Sequence, residues 1–442
     1  MHVLIIGGGT GGMCLAQGLR RAGVPVSVFE RDRTRSDGLH GYRVGINPTG
    51  NHALRECLPP ELFDTFIATC ARSPRYFNVL TEKLRYTASI PLREASDPVD
   101  SERSVSRMTL RQVLFTGMDE VVRFDKVFTH YRQHDDGTVE AFFADGTSAT
   151  GDVLVAADGA GSAVRQQYLP HATVKDAGII AIGGKVPLTA ETRALLPAEV
   201  VEGISLVFAP RGRFCIWHVM EFNWDGDGQV KQGIGGNDAE LLANWPGLLF
   251  DNTRDYINWG FWAATGSYPP GVLELRREDL IQLVLRMTPG WHPNMRRLFA
   301  LADPGTCFPI RIRTSVPIEP WTSSTVTLLG DAIHTMTPGQ GVGANTALRD
   351  AALLCRQLVA AQQGSKPLLE AIADYEAEMI PYGFARVADS LAQNGTSGDD
   401  SLYRPVLGRV MLAATRGYFR AVDRIPAVRR QFLSGLYTYR SG

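Results

Sequence analysis

The sequence predicts an α/β fold: a parallel-sheet domain, a second and mostly antiparallel β domain, and C-terminal helices. Three observations carry that expectation. Short, mainly apolar runs at 3–6, 26–29, 153–157 and 325–329 have the character of strands covered on both faces. Three of these runs pass directly into glycine-rich turns. Between about 177 and 320 the pattern changes to short β-rich runs, 205–208 and 214–219 among them, divided by Gly, Pro and Asp turns.

Composition excludes several classes. With 44% hydrophobic and 21% charged residues over 442 positions, the chain is globular and able to bury a large core. Forty-five basic against 46 acidic residues leave a net charge of −1, so there is no global basic field for nucleic acid. No apolar run approaches the ~18 residues of a membrane span. The apolar start at 3–6 lacks a basic leader and stops at glycine, which predicts a buried strand and a cytoplasmic protein. Asn394-Gly395-Thr396 then reads as a polar loop rather than a glycosylation site. Six cysteines without a C-x-x-C pair predict reduced core thiols and no metal site.

In chain order, the strand at 3–6 is followed by glycines at 7–12, a helix from Met13 to Ala22 ended by Gly23, and a strand at 26–29 closed by Glu30. Residues 46–71 read as helical, with Pro59-Pro60 opening a new helix, and 104–122 as a helix with Leu110 and Leu114 on one face. Residues 125–149 alternate around Asp-Gly turns, predicting hairpins. A long helix is expected over about 343–362.

Gly7-x-Gly9-x-x-Gly12, after a strand and before a helix, is the fingerprint of a Rossmann-like dinucleotide site. The first glycine permits a tight turn, the second lets backbone approach a pyrophosphate, and the third lets helix pack on strand. The helix N-terminus offers unpaired amides to phosphate. Gly11 belongs to the same run. Glu30, 18 residues after Gly12, suits ribose hydroxyls, and Arg31 beside it faces either adenine or solvent.

Two further clusters follow strands. Asp158 opens DGAGSAVR at 158–165, where the bland alternative is a helix cap by Ser162 with Arg165 in a salt bridge. Gly330-Asp331 opens GDAIHTMTPGQGVGAN at 330–345. Asp331 can accept from sugar hydroxyls, and the amides from Gly341 through Gly343 and Ala344 to Asn345 form a helix start suited to phosphate or an electron-rich ring. His334 has no evident acid partner in the sequence and reads as structural.

Together these clusters resemble the class A flavoprotein monooxygenases typified by para-hydroxybenzoate hydroxylase. That family carries GxGxxG with a following Glu, a DGxxSxxR motif and a GD motif in this order. Arg107 in SRMTLRQVL (106–114) resembles an arginine touching the flavin's linker, and Arg43 in GYRVGI (41–46) a position close to the flavin. The resemblance covers about 1–55, 100–170 and 320–390. It implies noncovalent FAD: adenosine at residues 7–12 and Glu30, ribityl and pyrophosphate at Arg107 and Asp331, isoalloxazine along the loop from Pro338 to Asn345. Asp158 would support FAD and a passing nicotinamide. It further implies NAD(P)H as transient reductant, O2 as co-substrate, and a C4a-hydroperoxyflavin that oxygenates an aromatic or enolic small molecule. Epoxidation, Baeyer–Villiger oxidation, dehydrogenation and a non-catalytic relative stay open as alternatives.

The expected division is an FAD-binding domain from 1–71, 101–175 and 321–400, a substrate domain from 72–100 and 176–320, and a C-terminal helical segment, 401–442. In the substrate domain Trp217, His218, Trp259, Phe261 and Trp262 are expected near the flavin, with Trp217 and His218 as candidate substrate contacts. The last segment holds eight arginines and one acid, Asp423. It reads as a docked helix with a solvated basic stripe, or as a contact for anionic lipid, a partner subunit or a phosphate-bearing cofactor.

Overall fold

The computed structural model describes residues 1–34, 43–92, 97–222, 255–393 and 406–441. Strand β1 (Val3–Ile6) is buried along its whole length. It leads through the helix Thr10–Arg21 to β2 (Val26–Phe29), which pairs parallel to it from Val3↔Val26 to Ile6↔Phe29. The helix begins three residues earlier than the sequence pattern predicts, with Gly9 as its N-cap. Gly11 and Gly12 lie in its first turn, where neither has a side chain to hold the helix away from its neighbours.

Next come β3 (Arg43–Ile46) and the helices Pro48–Cys57 and Pro60–Thr69. A hairpin follows, β4 (Tyr76–Thr81) with β5 (Tyr86–Pro91), and then β6 (Arg103–Ser106), which pairs antiparallel with β3. The sequence pattern predicts one helix over 104–122. The structure limits it to Arg107–Phe115, because pairing with β3 claims residues 103–106 and Gly117 turns the chain at φ +72°. The short β7 (Val122–Arg123) closes the edge beside β2. The predicted hairpins are a meander of β8 (Phe128–Gln133), β9 (Val139–Phe143) and β10 (Ser148–Gly151), turned by Gly137 and Gly146 at positive φ.

Strand β11 (Val153–Ala156) returns beside β1. The chain then builds β12 (Val174–Pro187), β13 (Gly203–Phe208), β14 (Phe214–Met220), β15 (Tyr256–Ala264) and β16 (Phe308–Ser315). Finally β17 (Val326–Leu328) joins β11. The parallel sheet has the order β17-β11-β1-β2-β7, and the large sheet β16-β12-β15-β14-β13-β4-β5. Every neighbouring pair in the large sheet is antiparallel except β13 with β4.

The large sheet is covered on both faces. On one side lie two helices the sequence reading did not place, Glu278–Met287 and Pro293–Ala300; Trp217, Trp259 and Phe261 pack there with Phe299. On the other side Met220 and Tyr256 join the core of the parallel-sheet half, and Val422 of the helix Leu407–Arg424 packs on Phe77 and Ile204. The helices Gly343–Gln362 and Leu368–Gln393 flank the parallel sheet. All six cysteines are buried and unpaired. The Asn394 motif lies outside the described residues. Among the described residues no helix is long and apolar enough to cross a membrane.

Candidate active site

The parallel sheet gathers the three motifs. Strands β1, β11 and β17 are adjacent and parallel, so their C-terminal ends share one edge. Residues 7–12, 158–161 and 330–331 leave from that edge, which is where open α/β sheets bind ligands.

The glycines divide into two kinds. Gly7 has φ +106°, and a Cβ there would lie 2.4 Å from the Ala157 carbonyl oxygen. At Gly12 a Cβ would meet the Gly7 carbonyl oxygen at 2.4 Å, and at Gly11 it would meet Leu329 Cδ1 at 2.7 Å and the Ala347 carbonyl oxygen at 3.1 Å. These three are required by the protein's own packing, and Gly11 serves the contact between helices rather than the cleft. Gly9 differs: a Cβ would find only the Ala157 carbonyl oxygen, at 3.8 Å. No side chain caps the helix that starts at Gly9, so its first-turn amides have no side-chain acceptor. Glu30 is buried against the glycine turn, its Oε2 accepting from Gly8 N at 2.6 Å and its Oε1 from Asp32 N at 2.9 Å. Arg31 beside it is exposed.

The Asp158 loop is part scaffold. Asp158 Oδ2 accepts from Ala163 N at 2.8 Å, while its Oδ1 is buried without a partner, and burial pushes its carboxyl pKa up. Ser162 caps the helix Ala163–Tyr168, accepting from Arg165 N at 2.9 Å. The buried Arg165 donates to the Ala160 carbonyl at 2.9 Å and to the Ala332 carbonyl at 2.7 Å, bolting this loop to the Gly330 loop. The bland alternative is right about the Ser162 cap, but Arg165 meets carbonyls in place of a salt-bridge partner.

Gly330 turns at φ +61° into Asp331, which is exposed to the cleft yet crowded by protein. That crowding raises its carboxyl pKa, against the lowering influence of His334 and Arg107 nearby. His334 has an acid after all. Its Nε2 lies 2.6 Å from Asp350 Oδ2, which also accepts from Gly330 N at 2.7 Å, and Tyr382 OH donates to Asp350 Oδ1. Burial opposes protonation of His334, but the Asp350 charge and hydrogen bond, with Asp331 behind them, raise its pKa overall.

Pro338 opens a short turn that ends at Gly341, φ +66°, where a side chain would meet open space. The helix beginning at Gly343 and Ala344 has no side-chain cap. Asn345 is less available than its motif implies. Its Oδ1 accepts from Asn47 N at 2.9 Å, and its Nδ2 donates to the Gly45 carbonyl at 2.9 Å and the Gly341 carbonyl at 3.2 Å. The side chain therefore positions the loop against β3. Arg43 donates to Ser104 Oγ at 3.0 Å and lines one hollow with Gly341 and Asn345.

Strand alternation separates the two candidate substrate contacts. Trp217 packs on the helix-covered face of the large sheet, 4.9 Å between ring centroids from Phe299 and away from the face that meets the parallel-sheet half, and this corrects its expected place; Trp259 and Phe261 lie on that same far side. His218 takes the opposite face with Met220 and is 1% exposed. Among the described residues neither ring nitrogen has a partner, and burial, reinforced by the positive Arg43, holds its pKa well below the usual 6.5. Asn258 is its register partner on β15, and its buried Oδ1 is also unpartnered. Asp350, Tyr382 and Asn258 had no local signal in the sequence: their partners are distant in sequence or unmade.

The comparisons agree with this geometry. Residues 1–48 and 300–388 match the family described as FAD binding domain. A dual O-methyltransferase/FAD-dependent monooxygenase of Cercospora beticola is 33% identical over 397 residues, 85% of this chain and 44% of its own length. The chain spans less than half the length of the first curated relatives it matches. A Photorhabdus luminescens protein assigned to the FAD-containing monooxygenases is 34% identical in its crystal structure, with TM-score 0.75, covering 89% of this chain and 97% of that one. A Klebsiella pneumoniae protein crystallised with FAD and uric acid shares the fold at TM-score 0.76 and 23% identity, covering 100% of this chain and 97% of that one. With the three motifs brought to one sheet edge, the chain belongs to the class A FAD-dependent monooxygenases.

Proposed function

We propose that this chain is an FAD-dependent, NAD(P)H-driven monooxygenase that inserts one oxygen atom from O2 into an aromatic or enolic small molecule. The observation that carries the reading is Gly9: the protein's own atoms do not require a glycine there, and an approaching ligand would. The residues fit FAD in other respects. Two uncapped helix starts, at Gly9 and Val342, suit a pyrophosphate and an electron-rich ring. Glu30 would hold the adenosine ribose, Arg107 and Asp331 the linker, and the open side of Gly341 the ring. Bound FAD would supply hydride acceptance from NAD(P)H and oxygen transfer from O2.

The chain's own contributions follow from its contacts. Arg165 holds two loops in register. Asp350 fixes the Gly330 turn by accepting from the Gly330 amide and by holding His334 beside it. His218 is kept neutral by burial, so at neutral pH it can accept a hydrogen bond from a substrate hydroxyl. The apolar surroundings of the sheet face would exclude water. In this reading 1–71, 101–175 and 321–400 bind FAD, 72–100 and 176–320 bind substrate, and the enzyme works in the cytosol.

The test is the visible spectrum of purified protein, followed anaerobically with NADH or NADPH and then with O2. A flavin spectrum that one reductant bleaches and O2 restores is expected, with faster bleaching when a phenol that fits the site is present. A protein that neither carries nor takes up FAD would make it a non-catalytic relative. Bound flavin that no nicotinamide bleaches would make it a dehydrogenase reduced by its own substrate.

A further inference from the structure

The helix Leu407–Arg424 has three faces where a surface helix normally has two. Its docked face carries Val422, Phe419 and Arg416; Phe419 packs on Phe208 and Arg416 donates to Glu82 Oε2 at 2.5 Å and the Phe208 carbonyl at 2.7 Å. At 100° per residue, the outward half splits lengthwise. One edge holds Arg409, Arg420 and Arg424, all exposed and none paired with an acid among the described residues. Beside it runs an apolar band of Leu407, Val410, Ala414 and Tyr418, continued by Ile425 just past the helix end.

That band is not scattered surface. Of the nine large hydrophobic residues exposed among the described residues, five fall between Val406 and Ile425: Val406 at 75%, Leu407 at 43%, Val410 at 61%, Tyr418 at 49% and Ile425 at 48%. Such a concentration marks an interaction surface. From Arg409 to Arg430 six arginines face one acid, Asp423, and Asp423 turns inward to accept from Ser89 N at 3.2 Å.

We propose that this helix docks the protein on an anionic lipid surface, lying in the interface with its apolar band in the acyl boundary and its arginine edge at the headgroups. Charge decides the occupant. A second copy pairing face to face would set the same arginines against one another with no acid on the face to meet them, whereas an anionic bilayer satisfies both the band and the edge. The helix is bolted to the large sheet by Arg416 and Phe419, so docking would hold the whole protein at the surface. The proposal stands apart from the flavin reading and survives its failure.

The experiment is co-sedimentation of the full chain with vesicles of phosphatidylcholine alone or with about one-third phosphatidylserine. Binding to the anionic vesicles only, weakened by salt, is expected. Arg409→Gln/Arg420→Gln/Arg424→Gln should lower the partition coefficient roughly 100-fold, the Lys triple variant should retain it, and Val410→Asp should abolish it. All these positions are solvent-exposed, so melting temperatures should match the wild type. No binding by the wild type, or equal binding to both vesicles, overturns the proposal. So does a wild-type dimer in sedimentation velocity that Val410→Asp dissociates, since the face would then be an interface between copies.

Discussion

The two buried histidines teach opposite lessons about the two halves. His334, beside the parallel sheet, is locked to Asp350, which also holds a backbone amide and Tyr382. His218, on the large sheet, is as deeply buried and has no partner for either nitrogen among the described residues. An unmet buried polar group costs about 1–3 kcal/mol. The parallel-sheet half therefore supplies an acid for its buried histidine and leaves only Nδ1 of that ring unmet, while on the large sheet His218 and Asn258 keep polar atoms that no described residue meets. The pKa shifts of the two histidines run in opposite directions for the same reason.

The contrast breaks first at Asp350. Asp350→Ala strips the acceptor from His334, Tyr382 and Gly330 N together, and should cost about 3–5 kcal/mol in urea unfolding while releasing FAD. Retained stability would mean that the network is ornamental. A smaller effect is expected from Gly12→Ala, about 1–3 kcal/mol, because its Cβ would press on backbone 2.4 Å away. Gly9→Ala should leave the stability of the FAD-free protein alone and lower FAD affinity at least tenfold by fluorescence titration; equal effects of the two glycine variants on stability would remove the distinction between them.

The sharpest contrast uses neighbours. Trp217→Ala opens the core and should cost about 3–5 kcal/mol. His218→Phe should change stability by no more than about 1 kcal/mol, since a ring replaces a ring and two unmet nitrogens vanish, yet it should abolish tight binding of a phenol. If His218→Phe unfolds the protein, His218 is scaffold.

The smallest effect is in pH. His334 has a raised folded pKa, so its contribution is full below about 6.5 and is lost as pH rises through that folded value. His218 has a lowered one, so its contribution is present above about 6.5 and is lost as pH falls. In urea titrations across pH, His334→Gln should remove the alkaline loss and His218→Phe the acid loss. If either variant keeps the wild-type slope at its own end, that histidine is not the titrating group.

By itself the sequence determined the α/β class, the strands at 3–6, 26–29, 153–157 and 325–329, and the three motifs, because these depend on local signals: apolar runs, glycines and residues at fixed short spacing. Tertiary structure decided what the motifs meant together. Residues 7, 158 and 330 share one edge only because β1, β11 and β17 pair. The β3–β6 ribbon overrode a helical pattern for the same reason, since pairing between residues about 60 apart leaves no local trace. The candidate substrate face was decided last. Trp217 and His218 are adjacent and look equivalent in sequence, and only the packing of the helices Glu278–Met287 and Pro293–Ala300 on one side of the sheet turns the tryptophan into core and leaves the histidine on the opposite face.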